Sequence, residues 1–190
     1  MSKESIRDYA AQYYHHVRAF PRYLSATHSQ VESLKARQVL LENLNDEEHG
    51  EENHPELWLR FAEGLGADRD VVHAGHPAAG VQAVIDCFFR LSRSSAAEGL
   101  GALFAYESQV PEIARFKLAA LKRFYLDPTD ARALKFFEVH EKADVYHTQA
   151  LREVLESLPE ADQRLAEKAA DEAAQALWGF LDSMQTAQAA

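Results

Sequence analysis

The sequence predicts an all-α protein folded as one helical bundle, and three observations support this. The 190 residues are rich in Ala, Leu, Glu and Arg, which favour helix, and only 8 glycines and 6 prolines interrupt them. Apolar residues recur every three to four positions, the spacing of an amphipathic helix. A chain of this length fits a single domain over residues 1–190. It contains no glycine fingerprint of a Rossmann or P-loop nucleotide site.

Seven helices account for most of the chain. They are predicted at about 5–27, 31–48, 55–64, 81–92, 95–125, 131–158 and 160–184. In the first, Pro21 should cause a kink or a division, because proline lacks a backbone donor. The second should bury a stripe formed by Leu34, Val39, Leu40 and Leu44. Pro55 suits the first turn of the third, which should stop near Gly64 and Gly66.

Capping residues and prolines place the later boundaries. Residues 68–80 are predicted to be a connection, since glycine and proline punctuate them. Ser95 should cap the fifth helix, and Pro111 should bend it. A turn before the sixth helix ends in Asp130, which should cap that helix. After the seventh helix, residues 185–190 should form a frayed tail.

Charge and cysteine usage exclude several classes of function. The net charge is −10, and acidic and basic residues are mixed along the chain, so nucleic acid and an anionic membrane are not expected as partners. Cys87 is the only cysteine, which excludes a disulfide framework and fits a reducing cytoplasm. Neither a signal pattern nor an apolar run of about 18 residues is found, so we expect a soluble, cytoplasmic protein.

The stretch His-Glu-Lys-Ala-Asp-Val-Tyr-His at 140–147 suggests metal binding. His140, Asp144 and His147 stand at i, i+4 and i+7, so on a helix they lie within roughly 60° of one another. Two imidazoles and a carboxylate that face one way are suitable ligands for iron, manganese or zinc.

Three further residues extend this set. Glu47 and His54 are also seven residues apart, and Glu107 lies in an almost uncharged apolar helix. An ionised carboxylate in such surroundings is costly unless a cation neutralises it. Three histidines and three carboxylates exceed what one tetrahedral zinc takes, and they match a dinuclear iron or manganese site inside a bundle.

Simpler interpretations remain open for the same residues. The stripe at His140 could be a charged surface face of its helix. His49 lies beside Glu47 but on another face, so we leave it out of the site. The remaining histidines lack carboxylates at ligand spacing and are interpreted as structural; they are His15, His16, His28, His73 and His76.

The ligand pattern resembles that of the heme-oxygenase-like diiron oxidases, the metal-dependent relatives of TenA thiaminases and PqqC. It consists of Glu47-x6-His54, then Glu107, then His140-x3-Asp144-x2-His147. Within the family, the chain is most similar to the branch of chlamydial proteins that associate with death domains and act as para-aminobenzoate synthases. The likeness also includes 13–14, 19–26, 41–44, 57–58, 106–109 and 179–183.

The resemblance implies a seven-helix bundle in which the six ligands hold two iron ions, or iron and manganese, that activate dioxygen. Members of this branch form para-aminobenzoate, a folate precursor, from one of their own tyrosines, with a lysine as the nitrogen source. Lys117 aligns with that lysine. Tyr106 aligns with a tyrosine that could relay a radical, and Tyr9 with one that faces the site. From the residues alone, a surface lysine is the favoured interpretation of Lys117, and Tyr106 could equally be a core aromatic.

One departure from the family pattern leaves the substrate open. The family helix that carries the consumed tyrosine would precede Met1. Either the natural chain is longer, or Tyr9 or another tyrosine serves, or the substrate is an external amino acid or fatty acid. A missing first helix should expose apolar surface, which a homodimer could cover.

Two other classes of function are also considered. A metal-free enzyme like PqqC or TenA would have Cys87 as its only candidate nucleophile, although a buried, inert thiol is the simpler interpretation of this residue. The chain could instead be an interaction module that binds partner helices, but no exposed amphipathic stripe in the sequence supports this.

Overall fold

The computed structural model describes the backbone of residues 2–189 and the side chains of 2–141 and 146–186. Within residues 2–189 the chain is helical and contains no strand, which confirms the all-α prediction. Nine helices are present there rather than seven. They are α1 (Lys3–Gln30), α2 (Leu34–Glu48), α3 (His54–Gly64), α4 (Arg69–Ala74), α5 (Ala79–Ser94), α6 (Ala96–Glu107), α7 (Val110–Phe124), α8 (Ala131–Glu156) and α9 (Glu160–Ala189).

The predicted fifth helix is in fact two helices, and Pro111 explains the division. A proline ring clashes with the carbonyl four residues earlier, here that of Glu107, and proline is favoured in the first turn of a new helix. Accordingly α6 ends at Glu107, and α7 begins at Val110 with Pro111 in its first turn. The hydroxyl of Thr148 on α8 donates a hydrogen bond to the Glu107 carbonyl over 3.0 Å. The break therefore fixes Glu107 at a helix end against α8.

Other boundaries also depart from the sequence-based predictions. Pro21 does not divide α1, which is continuous through it. Part of the expected connection at 68–80 forms α4, because the Asp68 side chain accepts a hydrogen bond from the Val71 N–H and caps that helix. The backbone of residues 185–189 continues α9 instead of fraying. Leu34, expected on the inward stripe of α2, is 69% exposed because it occupies the first position of that helix.

The long first helix organises the core. It packs against α2, α3, α4, α5 and α6, while α9 covers α5 and α6 from the other side. The side chains of Ser95 and Asp130 cap α6 and α8 as predicted. No described helix is both long enough and apolar enough to span a lipid bilayer.

The contact between α6 and α9 depends on a glycine. A methyl group on Gly101 would lie 2.8 Å from the Cα of Ala166 on α9, too close for the backbones to remain in place. We expect Gly101→Ala to lower the free energy of unfolding by about 2–3 kcal/mol. Gly179→Ala is the matched control, because nothing lies within 4 Å of its added methyl. The control should raise stability by about 0.5–1 kcal/mol, since alanine is the better helix former.

Urea unfolding of the two variants measures this difference. Equal effects of the two substitutions on the free energy of unfolding would contradict the close approach of α6 and α9.

Candidate metal centre

The predicted ligands lie at the ends of three helices and in the middle of a fourth. Glu47 lies at the end of α2, His54 begins α3, and Glu107 ends α6, while His140 and His147 lie along α8. All five are buried. The sixth predicted ligand, Asp144, falls outside the residues whose side chains the structure describes.

A tight turn, not one continuous helix, brings Glu47 and His54 together. On one helix a seven-residue spacing would place two side chains on the same face, but here it spans the end of α2 and the start of α3. Gly50 adopts a φ of 78°, a left-handed conformation that favours glycine. The Asn53 side chain donates a hydrogen bond to the Gly50 carbonyl over 2.9 Å and accepts one from the Glu56 N–H over 3.0 Å. These contacts reverse the chain and start α3 at His54.

Glu47, His54 and His140 form the tightest group of potential ligands. One ligand atom from each lies within 4.8 Å of the other two, and the three side chains are 5%, 4% and 3% exposed. The His54 Nδ1 lies 2.9 Å from the Glu47 Oε1, and the two imidazole rings have centroids 4.2 Å apart. A metal ion among these atoms could lie about 2.0–2.2 Å from each donor, and the nitrogen and oxygen donors suit iron or manganese.

The backbone of α8 orients His140 for this role. Its Nδ1 lies 2.7 Å from the Phe136 carbonyl oxygen, so the Nδ1–H can donate there and leave the Nε2 lone pair for a metal. The imidazole stacks on the Phe136 ring, with centroids 3.9 Å apart. Burial, and then the neighbouring His54 and His147, hold the pKa of His140 well below its usual value. A neutral imidazole is the form that binds metals.

Glu107 and His147 form a second buried group. The Glu107 Oε1 accepts a hydrogen bond from the Asn43 amide over 2.9 Å, and the His147 Nδ1 lies 3.9 Å from the Glu107 Oε2. The His147 Nε2 lies 3.2 Å from a carboxylate oxygen of Asp46. Because His147 also acts on the pKa of His140, the two groups are electrostatically connected.

Sequence reasoning missed the roles of Asn43 and Asp46. Asn43 precedes Glu47 by one helical turn, so its position on the same face of α2 could have been recognised. Asp46 gave no such signal, because only the packing of α2 on α8 brings it to His147. His49, left out of the site, is exposed.

A mainly apolar cavity of about 400 Å³ lies beside the ligands, lined by residues of α1, α3, α6, α7, α8 and α9. Phe136, which stacks on His140, forms part of its wall, and so does Tyr106, the neighbour of Glu107. None of the five described ligands lines the cavity itself, and Phe136 and Tyr106 connect its wall to them. Cys87 is not among the lining residues, and burial raises the pKa of its thiol, which disfavours a nucleophilic role.

Lys117 lines this cavity and is half-buried. Its Nζ lies 2.7 Å from the Tyr9 hydroxyl, and 4.8 Å and 5.6 Å from the ring centroids of Tyr9 and Tyr13. Burial of the amino group lowers the pKa of Lys117, and burial raises the pKa of Tyr9. Both shifts therefore act against the charged forms of the amine and of the phenol.

His16 lies behind the cavity wall, in a cage of aromatic rings formed by Tyr13, Phe20, Tyr23, Phe88 and Tyr106. It is fully buried, and among the described residues neither ring nitrogen has a hydrogen-bond partner. Burial lowers its pKa from 6.5 to about 3. This agrees with the prediction that His16 is structural.

The buried His16 should make stability depend on pH in the metal-free protein. The unfolded chain gains this proton near pH 6.5 and the folded chain only near 3, so acid favours unfolding. The free energy of unfolding should fall by about 1.4 kcal/mol per pH unit from this group. His16→Phe should show a shallower fall between about pH 6 and pH 4 in urea unfolding. The exposed control His76→Phe should keep the parental slope, and a parental slope in His16→Phe would refute the prediction.

Comparison with known proteins identifies the family to which these residues belong. The sequence profile of the iron-containing redox enzymes matches residues 7–179. The chain belongs to that family. Its members are oxidoreductases, and the expected relationship to heme-oxygenase-like iron enzymes is thereby confirmed.

Relatives within the iron-containing redox enzyme family are similar over most of their length. The chain is 40% identical over 186 residues to the 4-aminobenzoate synthase of Chlamydia trachomatis. The matched region covers 96% of this chain and 79% of the relative. It is 39% identical over 196 residues to the 4-aminobenzoate synthase of Nitrosomonas europaea, and this match covers 97% of this chain and 79% of the relative.

Solved structures support the fold. A TenA homologue from Pseudomonas syringae superposes with a TM-score of 0.83 at 17% identity, covering 98% of this chain and 81% of that one. A domain with a heme oxygenase-like fold from Shewanella denitrificans superposes with a TM-score of 0.81 at 17% identity. The superposition covers 99% of this chain and 80% of that one. At this level of identity the two structures show the shared fold only.

Proposed function

We propose that the protein is a dinuclear iron, or iron and manganese, oxidase that activates dioxygen and forms 4-aminobenzoate from a tyrosine of the protein itself. The observation that carries this proposal is the contact between Lys117 and Tyr9 in a cavity next to the buried ligands. The names of the relatives support the product, a precursor of folate.

In this proposal the described side chains would bind both ions. Glu47, His54 and His140 would hold one ion, and Glu107 with His147 would take part in holding the second. On the sequence pattern Asp144 completes the set. Bound iron would supply the redox chemistry with dioxygen, while the protein supplies orientation and a water-poor pocket.

The geometry around Lys117 matches the arrangement of atoms in the product. The nitrogen of 4-aminobenzoate occupies the ring position that carries the hydroxyl group in tyrosine. An amine donor must therefore reach the hydroxyl end of the ring, and the Lys117 Nζ lies 2.7 Å from the Tyr9 hydroxyl. The lowered pKa of Lys117 increases the fraction of the neutral amine, the form with the lone pair needed to form a carbon–nitrogen bond. Lys117 is proposed as the nitrogen source and Tyr9 as the tyrosine in contact with it.

The size of the cavity supports a second candidate, oxidation of an external small molecule such as an amino acid or a fatty acid. A space of about 400 Å³ with a mainly apolar lining is large enough to bind such a ligand. For either candidate we propose a cytoplasmic homodimer, in which a partner could cover exposed apolar residues at the rim, such as Trp178.

Product formation without added substrate distinguishes the two candidates. Protein labelled with ¹³C-tyrosine and ¹⁵N-lysine is loaded with iron and manganese and exposed to dioxygen and a reductant. We expect doubly labelled 4-aminobenzoate by mass spectrometry, at no more than one molecule per chain. Oxidation of an added compound over many turnovers, without labelled product, would favour the external substrate. Absence of both products, with no dioxygen consumed, would refute the oxidase.

A further inference from the structure

One face of α2 contacts candidate ligands of both ions. Asp46 and Glu47 follow Asn43 by three and four residues, a spacing that brings side chains to neighbouring positions on a helix surface. Glu47 is itself a candidate ligand of the first ion. The Asn43 side chain contacts Glu107 in the second buried group. The Asp46 side chain contacts His147 in that same group.

We propose that Asn43 and Asp46 are positioning residues that prepare the second buried group to bind the second ion. Asn43 orients the Glu107 carboxylate, and Asp46 orients the His147 imidazole. This inference rests on the dinuclear centre of the proposed function. It goes beyond that function because it makes retention of one ion depend on two side chains outside the ligand set.

The Asn43 amide sets the direction of the Glu107 carboxylate. Its Nδ2 donates to the Glu107 Oε1 over 2.9 Å, and this orientation of the amide is required because an ionised carboxylate only accepts hydrogen bonds. The Glu107 Oε2 lies 3.9 Å from the His147 Nδ1, on the side where an ion would be shared. Among the described residues the buried Asn43 Oδ1 has no hydrogen-bond partner, so burial of this amide is costly and the bond to Glu107 offsets the cost.

The Asp46 carboxylate sets the tautomer of the His147 imidazole. Its Oδ2 lies 3.2 Å from the His147 Nε2. An Nε2–H that donates to this carboxylate leaves the lone pair on Nδ1, the nitrogen that faces Glu107. Histidines that bind metals usually donate their other ring nitrogen to a carboxylate or carbonyl in this way. With metal–donor distances of about 2.1 Å, one ion spans two donors about 3–4 Å apart, which suits Nδ1 and the Glu107 Oε2.

A third contact between α2 and α8 provides the matched control. The Tyr146 hydroxyl donates to a carboxylate oxygen of Glu42 over 3.2 Å. Glu42 lies one helical turn before Asp46, and Tyr146 directly precedes His147. The variant Glu42→Ala therefore removes the same charge from the same helix as Asp46→Ala, together with a contact to the same partner helix. It removes no contact to a candidate ligand.

Titration of the metal-free protein with Mn²⁺, followed by electron paramagnetic resonance, tests the inference. The signal of free Mn²⁺ counts the ions left unbound, and two neighbouring bound ions give a spin-coupled spectrum that one ion does not. The parent should bind two ions per chain. In Asn43→Leu and Asp46→Ala the first ion should bind with parental affinity. Affinity for the second should fall about 10–100-fold, and the spin-coupled spectrum should weaken accordingly.

Two further variants separate positioning from other roles of Asp46. Asp46→Asn should recover most of the affinity for the second ion, because its amide oxygen still accepts from the Nε2–H of His147. Failure of this recovery would indicate that Asp46 is a ligand and overturn its positioning role. Glu42→Ala should keep both parental affinities. An equal loss in Glu42→Ala would show an effect of charge or helix packing and overturn the inference.

The remaining outcomes separate this inference from the proposed function. Parental binding of the second ion in both Asn43→Leu and Asp46→Ala would overturn the inference, and so would equal weakening of the two ions. A parent that binds two Mn²⁺ ions but forms no 4-aminobenzoate when loaded with iron would contradict the proposed product and leave the positioning roles intact. A parent that binds only one ion would refute the dinuclear centre, and the inference with it.

Discussion

Replacement of His140 by alanine is expected to abolish metal binding. The substitution removes one of three donors from the buried group with Glu47 and His54. Loss of a residue that only orients a ligand costs about 10–100-fold in metal affinity, so loss of the ligand itself should cost more than 100-fold. The parent, loaded with iron and manganese, should hold about two ions per chain after gel filtration, the number that dinuclear carboxylate sites in helical bundles bind. His140→Ala should retain close to none.

Elemental analysis and thermal unfolding measure this effect together. Metal that binds only the folded chain stabilises it by about 2.7 kcal/mol at a concentration one hundred times its dissociation constant. Added ferrous iron should therefore raise the unfolding temperature of the parent but not of His140→Ala. His76→Ala is the control, because His76 is exposed and outside the candidate site. Undiminished iron content in His140→Ala would exclude His140 as a ligand.

Replacement of Lys117 by methionine should abolish 4-aminobenzoate formation while both metal ions remain bound. Methionine has a similar length and suits the apolar cavity, so the fold should be retained. The variant lacks the amine beside Tyr9, and we expect the yield of product to fall at least 100-fold. Elemental analysis and mass spectrometry on the same sample separate metal loss from loss of the nitrogen donor.

Lys122→Met provides the matched control on the same helix. Lys122 forms an ion pair with Glu138 at 3.3 Å and lies outside the cavity lining. Its replacement should leave product yield unchanged. Parental yield in Lys117→Met would show that the nitrogen comes from another source.

Periodicity made most of the ligand set predictable, because α8 is long and its histidines share one face. His140 and His147 are both buried, as their seven-residue spacing indicated. For Glu47 and His54 the spacing indicated the pairing but not the structure that brings the two side chains together. Their proximity depends on the left-handed Gly50 and the capping contacts of Asn53, local details that a helical pattern does not represent.

The orientation of the Lys117 side chain towards the interior could have been recognised from the sequence of its own helix. Ala114 and Leu121, three residues before and four after Lys117, are both buried, so all three side chains lie on one face of α7. The charged residues nearby hid this pattern and favoured the interpretation as a surface lysine. The contact with Tyr9 could not be predicted, because it joins residues 108 positions apart.

Anomalous diffraction from crystals loaded with iron and manganese is the most direct test of the metal centre. Data collected at both absorption edges should show two anomalous peaks inside the bundle. One should lie about 2.0–2.2 Å from donor atoms of Glu47, His54 and His140, and the other should be bound by Glu107 and His147. Peaks found only at surface carboxylates, with none among these five side chains, would contradict the assignment of a dinuclear metal site.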